Sequence, residues 1–229
     1  MQFKMQPQVL PNKSIGLFYV LMLLTTWLSY ADGIGNKLRD WRTSESILEI
    51  RDSDVFFEII DPPELEYTYR LWPAMDFGAP FNTSFSERGI PLVLSNPATG
   101  CRRPDNADQL KGRVALVQRG ECTFLAKAAI GQNAGAKAVI ITDYYAASAE
   151  EERTNPLWMD HYYIDMTHDN NINLLEPVRI PVGFLLGKNG KMICKTLRKL
   201  DKPFALINIP VNLTYTPINK LQQPPWLSW

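Results

Sequence analysis

Apolar positions recur with two periods along this chain, and the two meet most clearly between Arg113 and Asp143. Val114 to Val117 is a continuous apolar run, the pattern of a strand covered on both faces. After the Arg119-Gly120 turn, Thr123 is placed to cap a helix in which Phe124, Ala128 and Gly131 fall on one side. Alanines at 126, 128 and 129 favour that helix and allow it to approach a sheet closely. Gly135 stands where a left-handed residue would end the helix. Ala138 to Ile141 is a second doubly covered run, so strand, helix and strand predict a right-handed parallel crossover.

Flanking segments read as further strands. Asp54 to Ile60 is rich in branched and aromatic residues, and Leu65 to Leu71 alternates, placing Leu65, Tyr67, Tyr69 and Leu71 on one face. A hairpin across Asp61-Pro62-Pro63 is expected. Ala74 to Ser86 is loop, Ile90 to Leu94 a short strand, and Ser95 to Leu110 a long connection that would be poorly anchored on its own. Ile180 to Leu186 is a strand with Pro181 near its start. Met192, Ile193 and Leu197 mark the inward face of a last helix, and Ala205 to Val211 closes the strand list. The expectation is one mixed α/β (α+β) domain over 54–211, with a tail over 212–229.

Before residue 54 the pattern changes. Lys4 and Lys13 precede the apolar run Ile15 to Tyr30, and Ser29-Tyr30-Ala31 supplies small residues for cleavage. Residues 1–31 therefore read as a secretory signal. The competing reading is an uncleaved anchor, for which the run is short and broken by Thr25-Thr26. Residues 32–53 read as a polar linker, with a short helix over Ser44 to Arg51.

Composition adds few constraints. The chain has 24 basic and 24 acidic side chains and 45% hydrophobic residues, the balance of an ordinary globular protein. No basic stripe stands out along the sequence, which argues against a nucleic-acid partner. Three cysteines, Cys101, Cys122 and Cys194, cannot all pair within one chain. Cys194 either bridges two chains or lies half-buried on its helix as a small apolar side chain. Sequons at Asn82 and Asn212 are N-glycosylation candidates for a chain entering the secretory lumen.

Catalytic signatures are sparse. The sequence holds no G-x-S-x-G elbow, H-E-x-x-H pair, phosphate-binding P-loop or dinucleotide fingerprint. His161, Asp165 and His168 would share a face if their segment were helical, and could then hold zinc for a small metal-assisted hydrolase. Against that stands a solvated acidic segment, with Asp160, Asp169 and the helix-disfavouring Asn170-Asn171 alongside. Arg119 would either bind an acidic partner group or satisfy backbone carbonyls of its own turn. Lys127 and Lys137 read as solvated charges. Trp226 and Trp229, behind Pro224-Pro225, would either anchor a partner or fold back over the domain's own sheet.

The run V-A-L-V-Q-R-G-E-C-T-F-L-A-K, followed by N-A-G-A-K-A-V-I-I-T-D, resembles the core of the protease-associated (PA) domain family. The later I-P-V-G-F-L-L-G-K-N-G-K resembles that family's strand, glycine turn and final helix. The ending I-N-I-P-V-N-L-T with Q-P-P-W-L-S-W resembles the short secreted branch in which a PA domain stands alone, without a protease domain. The resemblance implies a β-sandwich or open barrel with flanking helices and a disulfide between Cys101 and Cys122. It implies a non-catalytic, secreted protein without cofactor, not held in the membrane after signal cleavage, acting by contact with a protein partner. An accessory role, restricting or presenting substrate to a separate protease, follows from the same resemblance.

Overall fold

A computed structural model describes residues 53–82, 84–143, 163–167, 176–213, 215–216 and 220–226. All of them lie in one unit, Ile47–Trp229. The expectations for residues 1–52, for His161 and His168 and for Trp229 fall outside the described residues. In the described chain, β1 (Val55–Asp61) and β2 (Thr68–Pro73) form the expected hairpin, Val55 opposite Leu71. A single 3₁₀ turn, Pro63–Leu65, occupies what reads as the start of β2 in the sequence. There follow β3 (Glu87–Leu94), α1 (Ala107–Leu110), β4 (Val114–Gln118), α2 (Phe124–Asn133) and β5 (Ala138–Thr142). The remaining elements are β6 (Val182–Leu185), α3 (Gly187–Lys199) and β7 (Phe204–Ile209).

Strands β3, β4, β5 and β6 are parallel neighbours, with β4 and β5 in register from Val114 opposite Ala138 to Gln118 opposite Thr142. Strand β7 runs antiparallel to both β3 and β1, and β2 pairs with β6. The sheet therefore closes into a seven-stranded barrel, in the order β1-β2-β6-β5-β4-β3-β7. This corrects the expectation of a sandwich or open barrel. A sandwich would leave edges unpaired, whereas here β7 supplies both missing partners.

Strand pleating gives the barrel two apolar layers. Val114, Leu116, Ala138 and Ile140 point into the barrel with Phe57, Ile59, Tyr69, Leu92 and Ile207. Ala115, Val117, Val139 and Ile141 point outward, where α2 covers them with Leu125, Ala128 and Ala129. Both alternate sets of β4 and β5 are thus buried, which is why those strands are apolar without alternation. The helix approaches so closely that a Cβ on Gly131 would sit 2.6 Å from Cγ2 of Val139.

Helix α3 leaves β6 and returns the chain to β7, crossing one end of the barrel. Ile193, Cys194 and Leu197 bury into the barrel's inner layer and close that end. Met192, expected among them, is only half-buried.

Candidate functional site

The Arg119-Gly120 turn emerges at the same barrel end as α3, where the parallel strands finish. Strand β4 stops at Gln118, and the chain turns back with Gly120 at φ 114° and Glu121 at φ 65°. Gly120 tolerates this left-handed region freely; a side chain there would be strained. The amide of Cys122 donates to the Gly120 carbonyl at 2.8 Å, and α2 begins with Thr123 Oγ1 accepting from the Ala126 amide at 3.2 Å. Cys122 forms a disulfide with Cys101, across a Cα–Cα distance of 5.7 Å. This is the tie for the 95–110 connection. Cys194 is a buried thiol outside that bond.

Lys127 departs from expectation. It is 1% exposed, not solvated. Its Nζ donates to the carbonyls of Thr99 and Gly120, each at 2.6 Å, and lies 3.2 Å from Cys101 Sγ. One ammonium thus joins both loops that the disulfide joins. Desolvation pushes its pKa down to about 8, with Glu121 opposing that shift.

Arg119 pairs with an acid of its own chain. Its Nη1 reaches Asp143 Oδ1 at 2.9 Å. The strand register explains the pair, since Gln118 lies opposite Thr142 and the next residues out are Arg119 and Asp143. Lys137 is half-exposed as expected but pairs with Glu87 at 2.6 Å. Exposed polar contacts finish the loops: Thr99 Oγ1 donates to Glu121 Oε2 at 2.9 Å, and Arg102 makes a two-pronged contact with Asp105 at 2.7 and 3.0 Å. That contact raises the Arg102 pKa and lowers that of Asp105.

These groups of the turn are therefore engaged within the chain. Its sulfur is in a disulfide, its amine is buried on two carbonyls, and its guanidinium is held by a carboxylate. Among the described residues no group of three His, Cys, Asp or Glu side chains is arranged to hold a metal ion. Asp165 is exposed, and residues 163–167 form no helix, so the premise that would align it with His161 and His168 does not hold there. That segment instead packs by Tyr163, which meets Trp72 edge-on at 5.3 Å and lies 5.1 Å from the Arg70 guanidinium.

The tail turns towards its own domain. Trp226 meets Tyr67 edge-on at 5.3 Å, and its Nε1 donates to Asn189 Oδ1 at 2.9 Å. The Thr68 amide donates to the Gln222 carbonyl at 2.7 Å, and Pro224 is buried. Asn82 and Asn212 are both exposed. Asn82 Oδ1 accepts from the amide of Ser84 at 3.0 Å and from its hydroxyl at 2.5 Å. Because Glu87 opposes Ile209 in the antiparallel β3–β7 pair, the two sequons lie off the same barrel end, opposite the end closed by α3.

Sequence reading also missed a charge pattern on α3. The helix carries Lys188, Lys191, Lys195, Arg198 and Lys199 and no acidic residue. At 100° per residue these five lie within an arc of about 100°. A basic stripe is present after all, formed by helical spacing rather than by a run in the sequence.

Residues 89–193 match the PA domain model. The chain belongs to the PA-domain family. A Drosophila melanogaster protein named PRADC1-like protein is 47% identical over 212 residues, covering 90% of this chain and 100% of that protein. The human ER degradation-enhancing alpha-mannosidase-like protein 3 is 31% identical over 132 residues, 58% of this chain but 13% of its own length. Among solved structures, the zinc aminopeptidase BSAP from Bacillus subtilis superposes with a TM-score of 0.46 at 22% identity, covering 70% of this chain and 31% of that one.

Proposed function

We propose that this chain is an N-glycosylated protein of the secretory route that acts by protein contact, its PA barrel serving as a non-catalytic scaffold. The observation that carries this reading is the occupation of the motif turn: Cys122 and Lys127 each fasten it to the 95–106 loop, and Arg119 pairs with Asp143. A nucleophile or general base in this turn would need the sulfur or the amine accessible to substrate. What the turn does present is a pair of fastened loops, 95–106 and 119–123, on which Arg102, Arg103 and Glu121 are exposed.

The charged start and apolar run before Ala31 support entry into the secretory lumen. So does the region shared with a relative whose name places it in ER degradation. Both sequon asparagines are exposed, as glycan attachment requires. Expression of the full chain in a secreting cell tests this. The protein is expected in the medium, with an apparent mass that glycosidase lowers and that no longer shifts after Asn82→Gln with Asn212→Gln. Retention in the cytosol, or a glycosidase shift that survives both substitutions, would overturn the reading.

A further inference from the structure

We infer that the Cys101–Cys122 bridge is a thiol-exchange site, opened by attack of an external thiolate on Cys122 while Lys127 receives Cys101 as the leaving thiolate. This goes beyond the contact function proposed above and does not depend on it. The position of the amine carries it. Lys127 Nζ lies 2.6 Å from each of the Thr99 and Gly120 carbonyls and 3.2 Å from Cys101 Sγ. An ammonium has three N–H donors, so two serve the carbonyls and the third is left for the sulfur. Its pKa of about 8, lowered by burial, keeps the ammonium the main form at pH 7. Glu121 is the acid that acts on this amine, and it favours the charged form. Arg102 is paired with Asp105, and Arg119 with Asp143. A cation beside one sulfur stabilises the thiolate that forms there, and the thiol of lower pKa leaves faster. The amine contacts the Cys101 sulfur, so the bridge is polarised: Cys101 departs and Cys122 is attacked.

Reach and recovery follow from the same two loops. Cys101 and Cys122 are half-buried, and their chain neighbours Arg102, Gly120 and Glu121 are exposed. In the first step the external thiolate bonds to Cys122 Sγ, and the S–S electron pair leaves on Cys101 Sγ beside the ammonium. A second thiolate then attacks the external sulfur and releases Cys122, which takes up a proton. Two thiols are thereby oxidised to one disulfide, the bridge gains two electrons, and the second proton the thiols give up passes to solvent. Lys127 still holds the Thr99 and Gly120 carbonyls after the bond has broken. The loops therefore stay side by side, and the bridge can close again when an oxidant removes the two electrons.

The test exposes the full oxidised chain to reduced glutathione at pH 7, quenches early with N-ethylmaleimide at mildly acidic pH, and maps the peptides by mass. Glutathione is expected on Cys122 at least about tenfold more often than on Cys101. Lys127→Met is expected to be reduced at least about tenfold more slowly and to lose that preference. The sign separates exchange from fastening. An amine that only fastened the loops would, once removed, loosen them and speed reduction. Equal labelling of the two cysteines in the wild type, or a preference for Cys101, would overturn the inference. So would reduction of folded Lys127→Met at the wild-type rate or faster. If unfolding curves show the variant unfolded, the wild-type labelling ratio decides by itself. No partner enters the measurement, so its failure leaves the contact function standing.

Discussion

The side-chain nitrogen of Lys127 donates to the carbonyl of Gly120 at 2.6 Å, from a residue 1% exposed. Helix α2 therefore holds the turn that precedes it, and through Thr99 it also holds the loop that brings Cys101 to Cys122. Two fastenings, one covalent and one hydrogen-bonded, fix the same pair of loops.

Lys127 gives the fold a signed pH dependence. Its pKa falls from 10.5 to about 8 through burial, so between those values the unfolded chain holds a proton that the folded chain has released. Stability from this group rises with pH across that window. A neutral amine keeps two N–H donors, one for each carbonyl. Denaturant unfolding from pH 8 to 10 should show a rise in the wild type that is missing in Lys127→Met. The variant should also be less stable at neutral pH by about 1–2 kcal/mol, because the Thr99 carbonyl loses its lysine donor and the Gly120 carbonyl keeps only the Cys122 amide. Parallel pH profiles would remove the assignment.

The disulfide closes a loop of 21 residues. Cys101→Ser with Cys122→Ser should lower stability by about 3 kcal/mol in the chain-entropy account. Peptide mass mapping of the unreduced protein should find Cys101 joined to Cys122 and Cys194 recovered as a thiol.

Gly131 and Val139 form a size-matched contact between α2 and β5. A Cβ at 131 would press on Val139 Cγ2 at 2.6 Å. Gly131→Ala should cost about 1–3 kcal/mol, as overpacking does. Adding Val139→Ala should recover part of that loss, and a double-mutant cycle measures the coupling.

Trp226→Ala tests the tail. It removes the contact with Tyr67 and leaves the buried Asn189 without its indole donor. Global stability should fall by about 1–2 kcal/mol. An unchanged unfolding midpoint would mean that the ring contributes nothing to its own domain.

The parts legible in the sequence are those governed by near neighbours. Thr123, the alanines and Gly135 specify α2 within one helix length, and Gly135 adopts φ 82° as its position predicted. The hairpin follows from Pro62-Pro63 and the alternation after it. Barrel closure was not legible, because it depends on β7 pairing at once with β1 and β3, over a hundred residues upstream. Lys127 was misread because its partners, Thr99 and Gly120, are brought to it by loops that only the folded chain assembles. A clue existed: Lys127 stands between Leu125 and Ala128 on a helix with no other charged residue. The Arg119–Asp143 pair was not legible, because Asp143 is its neighbour through strand register, not through sequence. The α3 stripe was legible in spacing, with cations at 188, 191, 195, 198 and 199, but not as a face until the opposite side was seen to fill the barrel.

The measurement closest to the central claim is cross-linking of the full chain in the secretory lumen, read by mass spectrometry at residue level. Contact function predicts a reproducible partner whose cross-links fall on the barrel end formed by loops 95–106, 119–123 and helix α3, away from Asn82 and Asn212. A chain that yields no partner, or whose cross-links gather at the sequon end, would contradict it.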